Sequence, residues 1–312
     1  MTEEQRRLKE RFLEPETRDG YYIDADTKAV WRKMLDILEV FSGICDKYGL
    51  KWTMEAGSLI GAMRHHGFVP WDDDIDVSMP RRDYDRLMSV LPRELPEGLF
   101  MQTSETDPEC FRAIMRICDS RTAAIIPSLA KEHRRLNMGI FIDILPVDAV
   151  PDSVWVRKLL GIQKIVIVVT LVRRFKRSVR NFKDVVYNAL AMVVYGIFGG
   201  RVLSRLRDMP YRLLARGRRR TWMLHPAHMG FKEKFRRQPE WYEEFIEVPF
   251  EYLSVKVSKE YDAILTQQFG DWRTPVKGGA YHVISEFDVN RGYKDVLREK
   301  YGYTAEELEG LP

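Results

Sequence analysis

Four aspartates, Asp72, Asp73, Asp74 and Asp76, fall within five consecutive positions, with only Ile75 among them. Like charges this close disfavour one another's ionised form unless something positive sits between them. The chain then runs on as "DVSM", so Ile75, Val77 and Met79 alternate with Asp74 and Asp76. Alternate side chains on a strand share a face. This predicts a strand over 74–79 that sends its apolar set into a core and leaves two carboxylates together on the other face. Their Cα atoms would lie about 7 Å apart, close enough for both heads to reach one cation. Asp72 has the same parity but precedes the regular stretch, so its direction stays open. Oxygen donors without paired histidines or thiolates suit Mg²⁺ or Mn²⁺ rather than zinc.

Two plainer readings compete, a solvated acidic loop and a calcium loop. The EF-hand spacing fails, because its sixth position would be Val77 instead of glycine and its twelfth Asp83 instead of glutamate. A solvated loop does not account for the apolar alternation that follows the acids. Further along, "GIFIDILP" at 139–146 puts Ile140, Ile142 and Ile144 on one face and Asp143 on the other with Phe141 and Leu145. A lone carboxylate in so apolar a strand is costly unless it is paired, bound to metal or capping a turn. If this strand neighbours the acidic one, Asp143 completes a three-carboxylate site.

The elements that must hold these residues are legible in outline. Apolar residues from Val30 to Cys45 recur at helical spacing, and Gly49 ends a helix over 27–48. "KWTMEA" reads as a short strand, "GS" at 57–58 as a turn, and "LIGAMRHH" as a brief helix before the irregular "GFVPW". A surface helix, "RRDYDRLMSVL", follows the acids, then three strands, "LFMQT", "FRAIMRIC" and "TAAII". Late in the chain "EEFIEVPFEYLSVKV" predicts a hairpin and "SKEYDAILTQQFG" a helix. Strands mixed with helices in this way imply an α+β or α/β core.

"GSLIGAMRHHGFVPWDDDIDVSMPRRDYDRL", followed by "FIDILPVD" and "YDAILTQQFGDWRTP", resembles the LicD family. Its members include phosphocholine transferases, and fukutin-type proteins are more distant relatives. The resemblance covers about 30–150 and about 245–285. It implies an α+β, nucleotidyltransferase-like mixed sheet flanked by helices. It further implies a CDP-alcohol donor, transfer of its phospho-alcohol to a hydroxyl of a glycan or lipid-linked glycan, and release of CMP. With that chemistry Asp74, Asp76 and Asp143 are the expected catalytic carboxylates, and Mg²⁺ or Mn²⁺ is held by these three with Asp72. Gly57 would allow close backbone approach and Ser58, at a helix start, would donate to phosphate. Arg64 would clamp a phosphate oxygen. His65 has a substrate role or a structural bond to the acidic loop, and Arg116 and Arg121 are nucleotide contacts or ordinary strand-end charges. His282, after "GGAY" in a glycine-rich loop, is the last expected substrate residue. A nucleotidyltransferase passing NMP from an NTP would use the same carboxylates. A basic membrane or nucleic-acid binding protein with an inert core is the third class, and the intact acidic set opposes inertness.

The net charge of +4 conceals an asymmetry. From Arg157 to Arg220 seventeen Lys and Arg meet two acids, Asp184 and Asp208, so this stretch carries +15 and the remainder −11. The segment lies outside the family pattern. It divides the chain into an expected catalytic core at 1–150, a basic helical insertion at 151–230 and a completing part at 231–312. Its apolar runs at 159–172 and 185–200, flanked by basic clusters, predict an anionic membrane surface as partner without a crossing. A helical subdomain buried against the core is the plainer reading. Basic and aromatic residues do not interleave as in an RNA-binding module, so no specific nucleic acid is expected. Three scattered cysteines and a charged N-terminus without an apolar stretch suit a cytoplasmic enzyme peripheral on the inner face of a membrane.

Overall fold

The structure, a computed structural model, describes residues 3–107, 109–110, 112–173, 182–215, 221–276 and 286–311. A short helix α1 (Glu3–Arg11) and a hairpin, β1 (Glu16–Arg18) and β2 (Tyr21–Ile23), precede the long helix α2 (Ala25–Tyr48). Asp24 caps α2 by accepting from the Thr27 N–H, and Gly49 closes it with a left-handed φ of 61°. The apolar stripe of α2, including Trp31, Leu35, Leu38 and Phe41, is buried against β6 (Met115–Asp119) and β8 (Ile140–Ala149).

A mixed seven-stranded sheet is built around β8. On one side β4 (Asp76–Pro80) runs parallel to it, and β3 (Thr53–Met54) pairs antiparallel with β4. On the other side β6 covers the first half of β8, and β9 (Trp222–Leu224) covers its end. Ahead of and beyond β6 lie β5 (Leu99–Gln102), its antiparallel partner, and β7 (Ala123–Ile125). The helix α3 (Ala56–His65) sits between β3 and β4, and α4 (Arg81–Glu94) follows β4. A one-turn helix, α5 (Pro127–Lys131), precedes β8. Ten consecutive residues of β8 are buried, which explains why its sequence is apolar on both faces.

After β8 come two long helices, α6 (Val154–Arg173) and α7 (Phe182–Leu214), and then the chain rejoins the same sheet through β9. A short α8 (Pro226–Met229) leads to β10 (Arg236–Arg237), which pairs with β9. The predicted hairpin is β11 (Phe245–Phe250) with β12 (Leu253–Ser258), and α9 (Tyr261–Phe269) follows. Finally β13 (Glu286–Asp288) pairs with β7, and α10 (Tyr293–Tyr301) and α11 (Ala305–Leu308) close a second small core. The architecture is α+β with a mixed sheet, as the sequence implies.

Two local expectations are corrected. Residues Gly57 and Ser58 are not a turn: they lie in the first turn of α3, because Glu55 takes the N-cap position and its carboxylate accepts from the Ala56 N–H. The acidic strand begins at Asp76, so Asp74 belongs to the loop before it. The neighbouring β3 is only two residues long and pairs with Val77 and Ser78 alone.

Candidate active site

The parallel pairing of β4 with β8 aligns Asp76 directly with Asp143. The antiparallel pairing of β6 with β8 aligns Arg116 with the same Asp143. Three neighbouring strands thus bring acid, acid and base into one row. The Asp143 N–H donates to the Ile75 carbonyl (2.8 Å), so the end of the acidic loop is tied to β8 as well. Ile75, Val77 and Met79 are fully buried on the opposite face.

Asp74, Asp76 and Asp143 line one cavity of about 220 Å³, together with Ala56, Arg112 and His225. Apolar walls from Ile114, Leu145, Leu224 and Phe235 complete it. Before the cavity, Asp72, Asp73 and Asp74 turn carboxylate oxygens to within 4.8 Å of one another. Asp74 therefore joins two sets, the loop triplet and the cavity carboxylates. Asp73 was not among the residues expected from the sequence.

The N-terminus of α3 faces this loop and its partial positive charge favours the acids. Gly57 matters here for want of a side chain. A Cβ at that position would fall 2.4 Å from Oδ2 of Asp72, so the glycine makes room for the carboxylate. The loop is further pinned by Trp31 Nε1, which donates to the Asp72 carbonyl (3.0 Å). Ser58 is buried, and its Oγ accepts from the Asp76 N–H (2.9 Å). Its observed bond fixes the start of β4.

Asp143 accepts two bonds from Arg116, at 2.5 Å from Nε and 3.1 Å from Nη2. The guanidinium also lies 3.5 Å from the centre of the Phe141 ring. Nε and Nη2 of Arg116 are thus taken up by Asp143, and Arg116 is not among the residues that line the cavity. Arg121 likewise pairs with Asp119. Arg112 is the cation that lines the cavity itself. β6 begins at Met115, so Arg112 lies ahead of the strand in which the reading of "FRAIMRIC" places it, and it is not among the residues singled out from the sequence.

Arg64 and His65 are not brought to the carboxylates. They occupy the last turn of α3, about 12 Å along the axis from Ala56. Arg64 donates to the Trp272 carbonyl (2.9 Å) and to Nε2 of His65 (3.0 Å). Nδ1 of His65 faces Asp19 at 3.4 Å. Burial, with Arg64 adding to it, pushes the imidazole down to about 4, so it is neutral near pH 7. The expected phosphate clamp at Arg64 and substrate contact at His65 do not form part of this cavity. His282 lies outside the described residues.

Electrostatically the cavity is short of positive charge. Burial pushes the carboxyls of Asp74 and Asp76 well above the ordinary range, and the neighbouring acids add to it, including Glu55 beside Asp76. With Asp143 paired to Arg116, the half-buried Asp74 and Asp76 have no bonded cation among the described residues. An all-oxygen donor set with this excess suits a hard divalent cation. A measurable consequence follows from linkage. An acid whose folded pKa exceeds its unfolded value binds more protons when folded, so its contribution to stability declines as pH rises between the two values. In EDTA, Asp76→Asn is therefore expected to match the native chain near pH 4 and to become the more stable of the two as pH increases. Mg²⁺ should shrink or reverse that advantage. Thermal unfolding of both proteins across pH, with EDTA and with Mg²⁺, checks this; a pH-independent difference would contradict the charge assignment.

Comparison with known proteins now adds to the geometry. The family model described as LicD/FKTN/FKRP, nucleotidyltransferase domain, matches residues 49–123. The chain is 37% identical over 120 residues to the lipopolysaccharide cholinephosphotransferase LicD of Haemophilus influenzae, covering 38% of this chain and 43% of that protein. It is 40% identical over 106 residues to an uncharacterised protein of Rickettsia prowazekii, covering 34% of this chain and 35% of the relative. The matches thus span less than half the length of these relatives.

Proposed function

We propose that this chain, which belongs to the LicD family through its residues 49–123, transfers a phospho-alcohol from a CDP-activated donor to a hydroxyl of a glycan or its lipid-linked precursor. Phosphocholine is the first candidate for the transferred group, because the Haemophilus influenzae relative is named a cholinephosphotransferase acting on lipopolysaccharide. The observation that carries the reading is the convergence of Asp74, Asp76 and Asp143 on one cavity that also presents Arg112.

In the proposed reaction the acceptor oxygen forms a bond to the phosphorus bearing the alcohol. The bond from that phosphorus to the bridging oxygen breaks, and CMP departs with the oxygen. The acceptor proton passes to solvent or to a cavity carboxylate. Asp74 and Asp76, with Asp72 beside them, would hold Mg²⁺ or Mn²⁺. The cation's contribution, when bound, is neutralisation of the diphosphate and of the charge on the leaving group. Asp143, oriented by its two bonds to Arg116, keeps its carboxylate at the row where β4 and β8 meet. Arg112 presents its guanidinium to the phosphates, and the apolar wall from Leu145, Leu224 and Phe235 excludes water.

The decisive experiment incubates the protein with Mg²⁺ and CDP-choline, CDP-ribitol or CDP-glycerol and measures CMP. Pyrophosphate released from a nucleoside triphosphate, with no CMP from any CDP-alcohol, would identify a nucleotidyltransferase instead. The Arg112 role has its own test. A charge-assisted hydrogen bond contributes about 1.5–3 kcal/mol, so Arg112→Ala should weaken CDP-choline binding roughly 10- to 150-fold by calorimetry. Arg64→Ala, at the far end of α3, should change it little. Equal affinity in native and Arg112→Ala proteins would remove Arg112 from the donor site.

A further inference from the structure

The large apolar side chains left exposed by the fold are concentrated on α6 and α7. On α6, Trp155, Leu159, Ile162, Val166 and Val169 recur at spacings of three and four residues, and all are exposed. The other side of this helix buries Ile167 and Leu171 against Leu203 of α7. At its start α6 also exposes the consecutive Val154, Trp155 and Val156, and the first half of α7 is similarly broad. Val185, Val186 and Tyr187 are consecutive and are 47%, 41% and 53% exposed. At about 100° per residue they point to three sides of the helix, so its apolar surface is not a single stripe. Leu190, Val193 and Ile197 continue it.

The second half of α7 is held by the sheet. Gly199, with φ 71° and ψ 161°, breaks the helix, and beyond it Leu203, Ser204, Arg207 and Tyr211 are buried. Tyr211 packs with Val150 and Met223, which belong to the region of β8 and β9. By length and composition Val185–Leu214 could cross a membrane. That packing removes its second half, beyond the break at Gly199, from consideration. The charge-free residues 185–200 are about 24 Å long as a helix, short of the roughly 30 Å hydrocarbon core.

We propose that residues 185–200 of α7, with the exposed stripe of α6, seat this protein on an anionic lipid bilayer and enter the near leaflet without crossing it. One side of this segment is covered, where Val194 and Tyr195 pack with Ile167, Leu171 and Leu203. The exposed apolar residues spread over the remaining sides give acyl chains a wider face than the single stripe a docked protein partner would cover. Part of the +15 between Arg157 and Arg220 is already taken up, Arg207 being buried and Arg205 and Arg212 paired with Glu105 and Asp85. Lys183 and Arg201, exposed at the two ends of the apolar segment, are placed to complement anionic headgroups. The inference does not depend on the phosphotransfer reading.

Flotation of the full chain with vesicles tests it. The protein should rise with phosphatidylcholine vesicles containing phosphatidylglycerol, bind much less to phosphatidylcholine alone, and release as salt shortens the screening length. Val186→Asp with Leu190→Asp places two charges in the apolar segment and should lower binding roughly a hundredfold or more. Both residues are exposed, so circular dichroism and CMP release with a soluble acceptor should match the native protein. Failure of the native chain to float with anionic vesicles at low salt would overturn the proposal. So would flotation of the double variant equal to native. A lipid-independent dimer that the double variant converts to a monomer, with vesicle binding unaffected, would assign the face to a second copy of this chain instead.

Discussion

Asp76→Asn is expected to lower CMP release at least about a thousandfold, which corresponds to about 4 kcal/mol of lost transition-state stabilisation. The amide retains the size of the carboxylate and the backbone bond from the residue 76 N–H to Ser58 Oγ. It cannot supply the negative charge that would hold a divalent cation against a diphosphate. The same variant should fold, and above the ordinary carboxylate range in EDTA it should be the more stable protein, because it removes one of two half-buried acids whose charged forms desolvation and neighbouring acids disfavour. Loss of activity together with gain of stability is the signature of a residue retained for chemistry rather than folding. Activity of Asp76→Asn within tenfold of native, measured as CMP release with saturating CDP-choline and Mg²⁺, would exclude Asp76 from the catalytic set. Loss of fold would be seen separately by circular dichroism.

The row of charges on which this rests was partly legible in the sequence. Alternation around Ile75, Val77 and Met79 and around Ile140, Ile142 and Ile144 is a local property, and those side chains are fully buried. That the two strands lie side by side is not local; it depends on β4 running parallel to β8 with Asp76 opposite Asp143. Residue type misled where a neighbour decided. A Gly-Ser pair resembles a turn, yet Glu55 caps a helix that includes it. The family resemblance implies a phosphate clamp at Arg64, but a helix carries its ends apart, and in the structure Arg64 bonds to the Trp272 carbonyl. Arg112 would share a face with Arg116 if "FRAIMRIC" were a strand throughout, but nothing local sets it apart from a surface arginine, and the strand begins only at Met115. The apolar runs of the basic insertion were visible as composition. Which of their residues are covered depends on the break at Gly199 and the packing of Tyr211.

Removing the partner of Asp143 should produce the largest stability effect in the site. Arg116 and Asp143 are both buried, and two hydrogen bonds join them. Breaking such a pair from one side leaves an uncompensated charge in the sheet, at a cost of about 3–5 kcal/mol. Arg116→Met should therefore unfold at markedly lower denaturant, and Arg116→Met with Asp143→Asn should recover much of the loss, because no charge is then stranded. The cycle also separates two roles for Asp143. If its carboxylate reaches a bound cation as well as Arg116, Mg²⁺ can replace the missing guanidinium, and the ion should stabilise Arg116→Met more than it stabilises the native chain. If Asp143 serves only as the partner of Arg116, Mg²⁺ should raise both proteins equally, leaving Asp74 and Asp76, with the loop acids, as the cation's ligands. Denaturant titrations of native, single and double variants with and without Mg²⁺ give the answer without reference to turnover. A cost below about 1 kcal/mol for Arg116→Met, the range of exposed ion pairs, would mean that water reaches Asp143 freely, and the buried row described here would be wrong.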